Sequence, residues 1–234
     1  MNQQFSVQRV NENKEMDVVV FDVCDTLFYS NTTFDFISFV LKQRKSWVKN
    51  MVYQLLTRKL SPVFLFLFWL NKLTARDYHK NFALKILAGL SKEELNNFGL
   101  QFYEQCLQKK KIKETFRHLA EEMEKGKKII LASSGIEPVI ATIADQLKVQ
   151  YICSQLEYEN GIFTGSLISD CTGKKHELIG KLLNEEEKKT MTVFTDNYSD
   201  KVLIQQAKHK FVIIYGEKQK SKWSYLAPHF IELA

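Results

Sequence analysis

Val18-Val19-Val20-Phe21-Asp22-Val23-Cys24-Asp25-Thr26-Leu27 is the stretch on which the reading of this chain turns. Four β-branched and aromatic residues, Val18 to Phe21, have the pattern of a short strand buried on both faces. Two carboxylates and a threonine follow at once. Charge at the carboxyl end of a buried strand is costly unless a ligand or partner uses it, and ligand sites of open α/β sheets lie along that edge. Asp22 and Asp25 are therefore candidates for chemistry. The competing reading is a capped turn, with Asp25 or Thr26 supporting the next segment.

The 234 residues suffice for one ordinary domain or a core with a large insertion. A hydrophobic content of 45% with 26% charged residues belongs to a folded chain, not a disordered one. The net charge of +6 suits phosphorylated ligands, anionic lipid and nucleic acid about equally. The basic residues are dispersed, with pairs and triplets near expected helix ends, and no recognition motif accompanies them; nucleic acid is not an expected partner. Cys24, Cys106, Cys153 and Cys171 show no CxxC spacing, which suggests neither a zinc site nor a disulfide framework. With a polar N-terminus that lacks an apolar signal segment, a cytoplasmic location is expected. Residues 1–16 read as a flexible leader.

Beyond Leu27 the pattern turns helical for about a hundred residues. Asn31-Thr32-Thr33 offers N-cap chemistry ahead of Phe34, Ile37, Val40 and Leu41, which share a helical face. A second amphipathic segment runs from Trp47 to Leu56. Pro62 then opens the apolar run Val63-Phe64-Leu65-Phe66-Leu67-Phe68-Trp69-Leu70. Arg58, Lys59 and Asn71 bracket it too tightly for a bilayer span, which needs roughly 20 apolar residues. A buried cap helix is the first reading. The second is an interfacial helix resting on an anionic membrane through its aromatics and nearby cations. Ser91-Lys92-Glu93-Glu94 is a capping box that introduces a helix to about Gln108, and a further helix from about Lys111 ends at Gly126.

From Lys128 the rhythm becomes strand, helix, strand. Ile129-Ile130-Leu131-Ala132 runs into Ser133-Ser134-Gly135, and a helix follows with Pro138 in its first turn. Tyr151 begins a third strand, and Glu159-Asn160-Gly161 turns a hairpin between residues 155–158 and 162–167. A helix from about Lys175 leads to Met191-Thr192-Val193-Phe194-Thr195 and then Asp196-Asn197-Tyr198-Ser199-Asp200. Another helix leads to a last strand from Phe211 to Ile214. Alternating β and α elements predict a three-layer, Rossmann-like α/β core with a mostly parallel sheet. Residues 17–30 and 126–234 form this core, and residues 31–125 an inserted all-helical cap.

The polar strand ends can now be collected. In a parallel sheet Asp22, Ser133, Asp196 and Asp200 converge on one edge, with Lys175 at the start of a nearby helix. Two or more carboxylates with few other ligands favour Mg²⁺, which retains waters for a substrate phosphate. A hydroxyl and a lysine beside that metal suit phosphoryl oxygens. This is equipment for phosphoryl transfer.

At this point the chain resembles the haloacid dehalogenase-like superfamily, and within it the phosphoserine-phosphatase-like group with a helical cap after the first strand. Four motifs carry the resemblance, in order: Phe21-Asp22-Val23-Cys24-Asp25-Thr26-Leu27, Ile130-Leu131-Ala132-Ser133-Ser134-Gly135, Cys171-Thr172-Gly173-Lys174-Lys175 and Thr195-Asp196-Asn197-Tyr198-Ser199-Asp200. The hairpin around Glu159-Asn160-Gly161 resembles the group as well. The resemblance implies a Mg²⁺-dependent phosphatase acting on a small phosphorylated substrate, with Asp22 as nucleophile. Asp22, Asp196 and the Cys24 carbonyl would hold the metal, and Asp200 would orient metal-bound water. Ser133, with Ser134 beside it, and Lys175 would grip the phosphoryl group, and Thr26 would support the nucleophile loop. Lys174 is an adjacent alternative to Lys175, which keeps Ile179 and Leu182 on a buried helical face.

One departure stands out. Most phosphatases of this superfamily carry an acid-base aspartate two positions after the nucleophile, and here that position is Cys24. General acid-base assistance is worth about 10²–10⁴ in rate. Three outcomes are open: Asp25 substitutes, the substrate has a good leaving group, or the protein is a slow or phosphate-binding relic. Asn31 stands where phosphoserine phosphatases carry a glutamate for the substrate amino group, which argues against phosphoserine. The aromatic run at 64–69 also resembles the lipid-phosphate branch, similar to phosphatidylglycerophosphate phosphatases. That keeps peripheral contact with the inner membrane face as the alternative location.

Overall fold

β1 (Val18–Phe21) sits in the middle of a seven-stranded sheet because both its faces are apolar. Val19 and Phe21 enter one buried cluster, Val18 and Val20 the other. The computed structural model describes residues 17–74 and 77–233; the leader expected over residues 1–16 lies outside them. The remaining strands are β2 (Lys128–Ile136), β3 (Gln150–Glu159), β4 (Ile162–Ser169), β5 (Thr192–Thr195), β6 (His209–Ile214) and β7 (His229–Glu232). Their order is β4-β3-β2-β1-β5-β6-β7, parallel throughout except for the β3–β4 hairpin.

Between β1 and β2 the chain forms α1 (Thr32–Gln43), α2 (Trp47–Thr57), α3 (Pro62–Thr74), α4 (Tyr78–Lys85), α5 (Lys92–Gln105) and α6 (Lys113–Glu124). Asn31 caps α1 by accepting from the Phe34 N–H, and the Ser91–Glu94 capping box opens α5. After β2 come α7 (Glu137–Leu147), α8 (Lys175–Leu182), α9 (Glu185–Thr190), α10 (Lys201–Gln206) and α11 (Glu217–Trp223). Val139, Ile140 and Ile143 of α7 join the cluster on one face of the sheet. Ile179 of α8, Leu203 and Ile204 of α10 and Trp223 of α11 fill the other. This is the three-layer α/β arrangement expected from the alternating pattern.

An aromatic stack crosses four strands. Phe21, Phe194, Phe211 and His229 are register partners on β1, β5, β6 and β7, with successive ring centroids 4.4, 4.4 and 5.3 Å apart. His118 of α6 lies over Phe194 and Phe211. The chain leaves and re-enters the core through one antiparallel ribbon. Phe28 bridges to Lys111, the Tyr29 N–H donates to the Lys110 carbonyl, and the Ile112 N–H donates to the Leu27 carbonyl. These contacts set α6 against the sheet.

Three expectations differ from the structure in instructive ways. The run 63–70 is helical but not buried. Only Leu67 is enclosed, while Val63, Leu65, Phe66, Phe68 and Trp69 face outward. The strand at Tyr151 and the first hairpin arm are one continuous element, β3. β6 is not the last strand: β7 follows it at the sheet edge, where His229-Phe230-Ile231-Glu232 offers too few apolar residues to announce itself.

α5 meets α7 closely, and the contact depends on a missing side chain. A Cβ on buried Gly99 would collide with the Pro138 carbonyl oxygen and crowd Thr142 Oγ1 at 3.1 Å. Gly99→Ala is therefore expected to lower the unfolding free energy by about 1–3 kcal/mol in urea titrations. Gly180→Ala on α8, where a Cβ meets nothing within 4 Å, should instead raise it by up to about 1 kcal/mol.

Candidate active site

The Asp22 N–H donates to the Phe194 carbonyl at 2.9 Å, extending the β1–β5 pairing one residue beyond the strand. Asp22 is thereby held at the sheet edge, 5% exposed, with Thr195 and Asp196 at the neighbouring strand end. Its Oδ1 accepts from the Val23 N–H at 2.7 Å and lies 2.9 Å from Lys175 Nζ. The same ammonium donates to Asp200 Oδ2 at 2.8 Å, and Thr195 Oγ1 donates to that oxygen at 2.8 Å. Lys175 is 2% exposed, whereas Lys174 lies in solvent. Burial alone would lower the Lys175 ammonium, but Asp22 and Asp200 outweigh it and hold the group above its ordinary value.

Thr26 joins the two strand-end loops reciprocally. Its hydroxyl donates to Asp196 Oδ1 at 3.0 Å and accepts from the Asp196 N–H at 3.0 Å. Its own carbonyl accepts from Thr115 Oγ1 of α6 at 2.6 Å. Ser133, fully buried, accepts the Gly135 N–H at 3.0 Å. A Cβ on Gly135 would sit 2.7 Å from Thr32 Oγ1, so glycine is what lets α1 approach this loop. Thr32 in turn meets Cys24: the two side chains are 3.2 Å apart, and the Thr32 N–H donates to Cys24 Sγ at 3.4 Å.

Cys24 and Asp25 point to different places. Burial, and then the nearby Asp22 carboxylate, push the Cys24 thiol up to about 11, so it stays protonated. Asp25 is exposed, in the left-handed region at φ +49°, and its carboxyl is raised by partial burial and by Asp35. Its surroundings are the outer group of Ser30, Asp35 and Lys110, where Asp35 Oδ2 accepts from Ser30 and Lys110 at 2.6 Å each. Tyr215 from the end of β6 donates its hydroxyl to the Asp25 carbonyl and packs against Tyr29.

A second buried cation was not anticipated. Lys80 of α4, 4% exposed, donates to the Ser134 carbonyl at 2.7 Å, Ser154 Oγ at 3.0 Å and Asp170 Oδ1 at 2.8 Å. Burial would raise Asp170, but Lys80 and Thr172 outweigh it and hold the carboxyl below its ordinary value. A lysine on an amphipathic helix carries no sequence mark of this role, since its three acceptors come from β2, β3 and the segment after β4. Lys80→Met is expected to cost about 3 kcal/mol in urea unfolding, the lower end for breaking a buried pair because Asp170 is a third exposed.

The comparisons bear on this constellation. A family model of haloacid dehalogenase-like hydrolases matches residues 19–204. The chain belongs to the haloacid dehalogenase-like hydrolase family. Among solved structures, a protein of unknown function from Bordetella pertussis Tohama I superposes with a TM-score of 0.75 at 16% identity, covering 92% of this chain and 98% of that one. A probable phosphoserine phosphatase from Vibrio cholerae gives 0.65 at 14% identity, covering 93% of this chain and 61% of that one. A phospho-aspartyl intermediate analogue of phosphoserine phosphatase gives 0.54 at 17% identity, covering 89% and 91%. At these identities the likeness is one of fold. Comparison of the sequence with curated proteins finds no match.

For a haloacid dehalogenase-like hydrolase the donor set can be tested against a hard cation. Among the described residues, no three His, Cys, Asp or Glu side chains cluster as metal ligands. Oxygen donors are nevertheless left over. Asp196 Oδ2 and the Cys24 carbonyl accept no hydrogen bond among the described residues, and Asp22 Oδ2 has only Thr195 Oγ1 at 3.5 Å. Burial pushes Asp22 up to about 6 against the pull of Lys175 and with the help of Asp200, and burial and then Asp22 push Asp196 up to about 8. Two carboxylates that repel one another and a free carbonyl fit Mg²⁺.

The sign of the pH dependence follows. Both folded-state pKa values lie above the unfolded carboxylate value, so the metal-free folded chain binds more protons than the unfolded one between about pH 4 and 8. This contribution to stability is present at low pH and lost as pH rises through 6 and then 8. In thermal melts with chelator, Tm is expected to fall from pH 5 to pH 8 by these two groups, and Asp196→Asn should flatten the fall. Mg²⁺ should raise Tm more at pH 8 than at pH 5.

Proposed function

We propose that this protein is a Mg²⁺-dependent phosphohydrolase that transfers the phosphoryl group of a small phosphorylated metabolite to Asp22 and then to water. The carrying observation is the buried line Asp22–Lys175–Asp200 beside Thr26–Asp196. It supplies an oriented carboxylate, a fixed cation and a pair of oxygens without partners among the described residues, all at one sheet edge.

In the first step an Asp22 carboxylate oxygen attacks phosphorus and the bond from phosphorus to the leaving oxygen breaks, giving an aspartyl-phosphate. In the second, water attacks that phosphorus, phosphate leaves and the carboxylate is restored. The Val23 N–H and Lys175 on Oδ1 fix the plane of the nucleophile, so attack needs no reorientation. Lys175 offsets phosphate charge, and Ser133 and Ser134 line the same edge from β2. Asp200 and Thr195 hold the ammonium in place. Asp22, Asp196 and the Cys24 carbonyl would hold Mg²⁺, which supplies charge compensation for the phosphoryl oxygens. The cap in this reading is α1–α5, with Thr32 and Asn31 at its entrance.

Proton transfer to the leaving oxygen is the weak point of the constellation. Cys24 is a neutral thiol turned to Thr32, and Asp25 belongs to the outer group with Lys110. The reading therefore favours substrates whose leaving oxygen needs little protonation, such as acyl phosphates. Asp22→Asn is expected to abolish turnover of acetyl phosphate. Cys24→Asp, whose carboxylate would meet the Thr32 hydroxyl and N–H, should raise hydrolysis of alkyl phosphates by about 10²-fold and of acetyl phosphate far less. Steady-state phosphate release measures both. An unchanged alkyl-phosphate rate in Cys24→Asp would transfer the proton role to Asp25, and turnover by Asp22→Asn equal to wild type would end the proposal. A second reading, the same chemistry carried out on a lipid phosphate at a membrane surface, is favoured by the exposed apolar face of the insertion.

A further inference from the structure

The insertion presents a surface that nothing inside the molecule uses. Twelve of the 22 exposed large hydrophobic residues among those described lie between Trp47 and Leu73. On α2 they follow a helical stripe through Trp47, Met51 and Leu55; on α3 another runs through Phe66, Trp69 and Leu73. Trp47 is 75% exposed, Phe66 58% and Trp69 56%. Patches of this kind mark interaction sites. The opposite faces are anchored: Tyr53 donates to the Phe34 carbonyl at 2.6 Å, Leu56 and Leu67 are buried, and Asn71 Oδ1 accepts the Tyr78 N–H at 2.8 Å. The outward orientation is therefore imposed by packing.

Charge says what the surface meets. Residues 36–76 hold eight of the 33 Lys and Arg and none of the 27 Asp and Glu. The rest of the chain, 25 cations against 27 acids, carries −2, so the whole positive excess lies on this segment. The overall count had concealed that concentration. Lys45, Arg58 and Lys59 stand exposed at the two ends of α2. A twofold contact between copies through this face would set Lys45, Arg58 and Lys59 of one chain against the like-charged residues of the other, which disfavours self-association.

We propose that the outer faces of α2 and α3 dock this protein onto an anionic lipid bilayer. The two helices lie in the interface with their aromatic and aliphatic stripes among the acyl chains and the cations at the headgroups. No described helix is long and apolar enough to cross a membrane, and α3, at 13 residues, is about 20 Å long. It rests on the bilayer. Docking concerns where the chemistry takes place and does not depend on it.

Flotation with phosphatidylcholine vesicles, with and without phosphatidylglycerol, tests the proposal on the full chain. Binding is expected to the anionic vesicles, to weaken with added salt and to shift tryptophan emission to the blue. Phe66→Ser with Trp69→Ser, both exposed, should leave the circular dichroism intact and weaken binding about tenfold or more. Lys45→Glu with Lys59→Glu should weaken it for anionic vesicles alone. Asp22→Asn should bind as wild type, so a failure of the catalytic reading leaves this result standing. Absence of wild-type binding, or binding unchanged in the Phe66/Trp69 variant, overturns the proposal. So does a dimer by light scattering that the same variant dissociates while vesicles remain unbound.

Discussion

A fully buried ammonium is tolerable only between anions, and Lys175 imposes that condition on the whole sheet edge. With 2% of its surface exposed, it needs Asp22 on one side and Asp200 on the other. Removing the lysine would leave both buried carboxylates without their cation, a loss of about 3–5 kcal/mol in buried pairs. The two acids come from the ends of β1 and of the turn after β5, and the lysine from α8. Three distant segments are thus fixed to within a hydrogen bond by one electrostatic requirement. The price is a local excess of negative charge in a buried place; burial first and the neighbouring carboxylates second raise the Asp22 and Asp196 carboxyls, a setting suited to a cation.

The sheet makes that requirement satisfiable. Parallel pairing of Phe21 with Phe194 sets the β1 and β5 ends side by side, and the stack continuing through Phe211 to His229 resists a slip of register. A one-residue shift would turn Asp22 away from Thr195 and place Val19 and Phe21 on the wrong face. The hydroxyl of Thr26, bonded both ways to Asp196, locks the loops beyond the strands. Phosphoryl chemistry depends on such prior placement more than on any reactive side chain.

Local signals made much of this arrangement readable beforehand. The Val18–Phe21 run, the Ser91–Glu94 capping box and the alternating elements after Lys128 each rest on neighbours in the chain, and each formed where periodicity and capping placed it. Asp22, Lys175 and Asp200 were legible because strand ends of a parallel sheet must converge. What escaped was non-local. Lys80 is polar on a helix of mixed composition, and only the fold brings Ser134, Ser154 and Asp170 to it. Gly99 looks like a weak point in a helix until α7 arrives against it. β7 is an edge strand half covered by its neighbours, so its sequence need not be apolar. The backbone direction at Asp25, left-handed at φ +49°, separates two adjacent side chains that the sequence offers as equivalent substitutes for one acid.

α3 shows where periodicity stops being informative. An apolar run predicts burial against something, and the natural candidate is the interior of the same molecule. Here the interior is already full: α4 and α5 are tied to the core through Lys80 and through the Gly99–Pro138 contact, and Leu67 with the partly covered Phe64 and Leu70 is all that α3 can place inside. The consecutive residues Tyr78, His79 and Lys80 carry that boundary. Tyr78 and His79 bond to Asn71 and the Phe64 carbonyl of α3, while Lys80 turns inward to the Ser134 loop. One side of the insertion is thus tied to the core down to a buried cation, and the other keeps two tryptophans and several phenylalanine and leucine side chains in water. These inner contacts are what commit the apolar surplus to the outer side. The hydrophobic pattern of residues 47–73 therefore reports an external partner, even though its spacing is that of a core helix.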